Sequence, residues 1–160
     1  MEQNYEVDKL DLAILARLMG DSRISYQDIA KELIVSGGTI HVRINKMKEA
    51  GIIRGSKLLV DYAKLGMEVM AFIGIKLSNA GDYKKVLKRL QKFSEVIEIH
   101  YTTGPYSLFI KILVKNIREM HLFLAEKLQS LEEIQSTETL ICLDTPVLRD
   151  VFFEEKKEEK

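Results

Sequence analysis

From residue 67 onward the hydrophobic period switches repeatedly between two residues and about 3.6, and the order of the switches admits few folds. Residues 67–78 alternate, with Val69, Ala71, Ile73, Ile75 and Leu77 on one side and Met70, Phe72, Gly74 and Lys76 on the other, which predicts a strand. Residues 82–93 take helical spacing through Tyr83, Val86, Leu87, Leu90 and Phe93, with Lys84, Lys85, Lys88 and Arg89 outside. Segments 96–103 and 106–114 read as strands joined by the turn signal Gly104-Pro105. Ile117, Met120, Leu124, Leu128 and Leu131 mark a second helix, and 134–143 returns to strand. The order β-α-β-β-α-β is the split motif of ferredoxin-like folds. Two helices cover only one face of a four-stranded sheet, yet Phe72, Ile97, Ile99, Tyr101, Phe109, Leu113, Leu140 and Cys142 include apolar side chains at both parities. The expectation is that the second face is buried against a twin, giving a two-fold dimer.

The first third reads as three helices. Leu10, Ile14, Leu15 and Leu18 form an apolar stripe over 8–19, with Asp8 placed to cap it and Gly20 just beyond. Ser25-Tyr26-Gln27-Asp28 resembles a capping box and opens a short helix burying Ile29, Ala30 and Leu33. Ser36 offers a third cap, before a helix that buries Ile40, Ile44 and Met47 and that Gly51 can end. The tight connection between the second and third helices, with small Ala30 inside the second, fits a helix-turn-helix. Gly38, Val42, Asn45 and Glu49 then face away from the core, flanked by Thr39, Arg43 and Lys46. Thr39 and Asn45 can bond base edges, Val42 can pack on a thymine methyl, and Arg43 and Lys46 can reach guanine or phosphate. For these two cations a solvated helix face is the competing reading, and His41 suits flank packing or phosphate better than base reading. Ile52 to Val60 reads as two short β segments around Gly55-Ser56, a wing or a linking strand, with Arg54 and Lys57 beside its tip. Periodicity is lost at 62–66, so the division expected is a winged helix-turn-helix over 1–61, a linker over 62–66, a ferredoxin-like domain over 67–150 and a charged tail over 151–160. The fold class is α+β.

Whole-chain charge decides nothing about partners, because 24 Lys and Arg balance 24 Asp and Glu among 160 residues. Its distribution does. Residues 1–35 carry four basic and seven acidic side chains, whereas 36–60 carry five basic against Glu49 alone, a concentration that suits a phosphate-facing surface. A single cysteine, Cys142, allows neither an internal disulfide nor a cysteine-based metal site. No apolar run reaches the roughly 18 residues of a membrane span and the start lacks an export-signal pattern, so the expected location is the cytoplasm. No phosphate-cradling glycine loop, paired metal-ligand spacing or nucleophile elbow is present; neither catalytic residues nor a cofactor is expected.

The residues that carry a resemblance are Leu10-Asp11 with Ile14-Leu15, Ser36 through Ile44, Ala50-Gly51-Ile52-Ile53, Leu65-Gly66, Tyr101-Thr102-Thr103-Gly104-Pro105-Tyr106-Ser107 and Ile134-Gln135-Ser136-Thr137-Glu138-Thr139. Together the segments span nearly the whole chain, which resembles the Lrp/AsnC, or feast/famine, regulators, and its asparagine-responsive branch most. The resemblance implies a DNA-binding head using Ser36, Gly38, Thr39, His41, Val42, Arg43, Asn45, Lys46, Arg54 and Lys57. It implies an amino-acid effector, asparagine first, held by Tyr101, Thr102, Thr103, Gly104, Pro105, Tyr106, Ser107, Gln135, Ser136, Thr137, Glu138 and Thr139, and dimers assembling to octamers. Gly37 departs from the proline that many members carry after the capping serine, so the head is less preorganised. On the residues alone, Gly104 making a hairpin turn among ordinary strand formers is preferred to a pocket; the resemblance reverses that preference. Two other readings stay open here. One is a tetrapyrrole decarboxylase of similar architecture using His100 and His121; the other is an amino-acid sensor whose head binds protein alone.

Overall fold

The structure, a computed structural model, describes residues 5–151. The expected tail therefore lies outside the described residues except for Val151. The chain divides into two compact units, with the division between Leu59 and Val60, and a second unit running from Val60 to Pro146.

The first unit holds α1 (Lys9–Gly20), α2 (Tyr26–Glu32) and α3 (Gly37–Glu49). Each begins where a side chain satisfies an orphan amide. Asp8 accepts from the Asp11 amide while Asp11 accepts from the Asp8 amide, a full capping box. Ser25 accepts from the Asp28 amide and Ser36 from the Thr39 amide. The three helices bury Ile14, Ile29, Ala30, Ile40, Ile44 and Met47 together. The turn between α2 and α3 is closed by the Val35 amide donating to the Ala30 carbonyl, with Ile34 in the left-handed region at φ 55. That conformation favours glycine, and Ile34 gains no packing from it, being 91% exposed. Gly51, at φ 71, ends α3 as its spacing predicts.

The two β segments expected after α3 are absent: 53–60 form neither helix nor strand among the described residues. Arms of about three residues are too short to hold a two-stranded ribbon by themselves, and Leu58 and Leu59 find no core, Leu59 remaining 88% exposed.

The second unit is β1 (Val69–Leu77), α4 (Tyr83–Leu90), β2 (Val96–Tyr101), β3 (Leu108–Val114), α5 (Ile117–Leu122) and β4 (Ile134–Ile141). The strands form an antiparallel sheet in the order β2-β3-β1-β4. Ala71, Ile73, Ile75, Ile110 and Ile112 point to one face, where Val86 and Leu90 of α4 and Met120 of α5 complete the core. The second helix is not α-helical throughout; after Leu122 it widens into a π turn over Phe123–Leu128. Phe123 and Leu128 are both buried, yet five residues of α-helix would set them about 140° apart. The wider turn brings both to the sheet. The opposite face carries Phe72 stacked on Phe109 at 6.0 Å, Lys111, and Leu140 at 51% exposure.

Candidate nucleic-acid interface and ligand site

Helix α3 sets its three buried side chains, Ile40, Ile44 and Met47, against the head's core and so turns Gly38, His41, Val42 and Lys46 outward. Ser36 and Thr39 are less free than their hydroxyls suggest, because the two lie 2.9 Å apart and Ser36 also caps the helix. His41 sits on the flank, its ring 6.1 Å from Tyr26 and its Nδ1 3.3 Å from the Asn45 amide nitrogen. Arg54 and Lys57 lie exposed on the segment after α3. Arg43 is the departure from a row of outward-reaching cations. Its guanidinium lies 2.6 Å from Asp8 and 3.0 Å from the buried Asp11, whose other oxygen accepts from the Tyr5 hydroxyl at 3.0 Å. Asp8 is held below the ordinary carboxylate range, first by the Asp11 amide and then by Arg43, and the bonds from Arg43 to the Asp8 and then the Asp11 carboxylates raise Arg43. An open groove of about 490 Å³ runs here, lined by Tyr5, Glu6, Asp8, Asp11, Gly38, Thr39, Val42, Arg43 and Lys46. Sequence reading passed over Tyr5, Asp8 and Asp11 as partners. The available signal was Asp11 lying three and four residues before Ile14 and Leu15, hence on the buried face, where a carboxylate demands a cation.

In the second unit the two polar segments converge on one end of the sheet. Ile75 of β1 pairs with Leu108 at the foot of the β2–β3 hairpin and with Thr137 of β4. The Ser107 amide donates to the Ile75 carbonyl at 2.8 Å. Tyr106 spans the remaining gap: its ring lies over Gly74 and its hydroxyl donates to Glu138 of β4, a contact that raises the Tyr106 phenol. Gly74 makes this crossing possible, since a Cβ there would stand 2.7 Å from the ring. A glycine in the middle of an apolar strand was the sequence signal for it.

Several of the expected ligand groups are engaged within the chain. Thr102 Oγ1 donates to the Tyr106 carbonyl at 2.8 Å, and Ser107 Oγ accepts from the Leu77 amide at 3.4 Å. Tyr101 packs on Tyr83 with ring centroids 4.4 Å apart. Thr103, Gly104 and Pro105 form the exposed turn, and Gly104 adopts φ 103 with open space around its Cβ position. The polar strand is divided by its own pleat. Ser136 and Glu138 pair with Lys76 and Gly74 on the open face, while Thr137 and Thr139 pair with Ile75 and Ile73 on the other; Gln135 is exposed at the bulge beside Leu77. His100 pairs with Phe109 on the open face and His121 lies exposed on α5, which covers the other, so the two histidines are not brought together.

Among the described residues, no helix is long and apolar enough to cross a membrane. Residues 7–54 match a winged helix-turn-helix DNA-binding family and residues 70–152 the Lrp/AsnC ligand binding domain. Regulatory protein AsnC of Haemophilus influenzae is 51% identical over 92% of this chain and 98% of its own length. The solved structure of Escherichia coli AsnC superposes with a TM-score of 0.88 at 48% identity, covering 92% of this chain and 99% of that one. A transcriptional regulator of Neisseria meningitidis, solved as its L-Met complex, shares the fold with a TM-score of 0.85 at 18% identity, over 93% and 97% of the two chains. The relatives are named as regulators, so the decarboxylase reading is set aside. A helix-turn-helix with a cationic outer face, a ferredoxin-like unit with a polar sheet end and relatives matched along nearly their whole length lead to one assignment: the chain belongs to the Lrp/AsnC family of DNA-binding transcriptional regulators, whose second domain binds small-molecule ligands.

Proposed function

We propose that residues 1–61 read operator DNA through Gly38, Thr39, Val42, Asn45 and Lys46 of α3, with Arg54 and Lys57 on flanking phosphates. Residues 62–66 act as the linker. Residues 67–150 take a free amino acid, asparagine first, and assemble the chain into dimers and then octamers. The observation that carries the ligand assignment is the crossing of Tyr106 to Glu138, which joins two polar segments 32 residues apart in sequence at one sheet end. Glu138 is the only carboxylate of β4 and suits an ammonium group; Thr103, Ser136 and the turn amides around Gly104 supply the polar partners a carboxylate and a side-chain amide require. Thr102 and Ser107 serve as scaffold, because the Thr102 hydroxyl closes the hairpin on the Tyr106 carbonyl and the Ser107 hydroxyl ties it to Leu77 of β1. The names of the AsnC relatives and the L-Met complex of the Neisseria regulator support an amino acid as ligand class.

A thermal-shift screen of the twenty amino acids, with and without promoter DNA, tests both sites, since a ligand specific to the native state raises the apparent midpoint. Asparagine should give the largest shift, and Glu138→Gln should abolish it. A larger shift from another amino acid would overturn the effector assignment, and an unchanged shift in the variant would overturn the site.

A further inference from the structure

Between Tyr83 and Lys92 the chain holds five cations and no acid. Two are explained by packing. Glu133, buried just before β4, takes Lys85 Nζ at 2.5 Å, with Arg89 Nη1 3.6 Å away. Lys84, Lys88 and Lys92 remain; Lys84 and Lys88, four residues apart, share one face of α4, and Lys92 follows in the turn just after the helix ends at Leu90. All three are exposed, and among the described residues none has an ion-pair partner. Lys84 works against α4. Like charges four residues apart repel, and Lys84 stands in the first turn, where the amide dipoles disfavour a cation. Asp82, at the N-cap position, makes no side-chain bond that would offset it. Lys88, in the last turn, stands where the amide dipoles favour a cation, but the packing of α4 comes from Val86 and Leu90 and not from the three lysines.

We propose that this stripe is a second DNA-binding surface, contacting backbone phosphates outside those met by α3. The inference rests on the DNA-binding assignment of the family. Three exposed ammonium groups along α4 and the turn that follows it, each on a flexible stem, suit a duplex that presents one charge per about 1.7 Å of its axis. A bilayer is the poorer occupant, because a membrane-lying helix needs an apolar face free to insert, and the apolar face of α4 is spent in the core. The contact is sequence-independent: it lengthens the DNA bound without adding to operator reading.

The test compares the full chain with its K84Q/K88Q/K92Q variant on a mixed-sequence duplex of about 100 base pairs over a salt series, using charges removed at Lys64, Lys76 and Lys115 as the matched control. Each lysine leaving a phosphate lowers the slope of log affinity against log salt by about 0.9, so the stripe variant should bind with a slope smaller by up to about 2.7 per engaged subunit. Its melting temperature should stay near that of the wild type, because the packing of α4 rests on Val86 and Leu90. An unchanged slope overturns the proposal. So does an equal flattening in the control, which would mark a net-charge effect, and so does transfer of the effect from DNA to an acidic polypeptide probe. Wild-type protein that bound no duplex would remove the DNA-binding assignment and this surface with it, whereas Lys46→Gln flattening the slope alone removes this surface only.

Discussion

Arg43 projects from the middle of α3, yet its guanidinium ends against the first turn of α1, between Asp8 and Asp11. Removing it leaves the buried Asp11 carboxylate short of its cation, a loss of about 2 kcal/mol, and urea unfolding of Arg43→Ala should show it. The variant should keep the salt slope of DNA binding if the guanidinium is occupied inside the head, in contrast to Lys46→Ala, which should lose about 0.9 of it. The same link predicts an acid limb. Because Asp8 titrates below its unfolded value, its contribution is complete above about pH 4 and is lost as pH falls through the native value. Arg43→Ala should make that limb shallower in a pH series of unfolding midpoints. Gly74 makes an equally local demand. Gly74→Ala would drive a methyl group into the Tyr106 ring, costing about 1–3 kcal/mol. Adding Tyr106→Ala should recover part of this loss in calorimetry, since two residues in contact are not additive.

At the scale of elements, capping residues and periodicity carried most of the information. Asp8, Ser25 and Ser36 each start a helix as their spacing implies, and the switches of period give the β-α-β-β-α-β order. Failures came where neighbours decide. The segment after α3 has two short apolar runs but no partner strand, and the π turn at Phe123–Leu128 answers to the sheet beneath it rather than to propensity. Within the proposed sites, residue types marked the polar segments, but they could not tell that Thr102, Ser107 and Arg43 bond inward, because hydrogen-bond partners 4 to 35 residues away leave no periodic trace. The start of α3 yields a prediction of its own. Ser36 stands at φ −77 and ψ 148, the extended region that a following proline imposes, and nothing lies within 4 Å of a Cβ at Gly37. Gly37→Pro should therefore stabilise the head by about 0.4–1 kcal/mol through the unfolded chain, read as a raised denaturation midpoint with α3 intact by circular dichroism.

For the whole molecule, the two-fold association inferred from the sequence applies to the open face of the sheet, where Phe72, Phe109 and Leu140 lie without a covering helix. Leu140→Asp should shift light scattering toward the monomer and remove the concentration dependence of the melting temperature; an unchanged assembly would place the interface elsewhere. Ser136 and Glu138 share that face with Leu140, so one strand carries the proposed ligand groups and an apolar contact side by side. On this reading a ligand that fills the polar end alters what the apolar part can meet, and by reciprocity assembly alters the ligand's affinity. The amino-acid concentration giving half response is then not a constant of the protein. It moves with the copy number of the regulator, so a strain making more of this chain would set its nutrient threshold at a different level without a change in any residue.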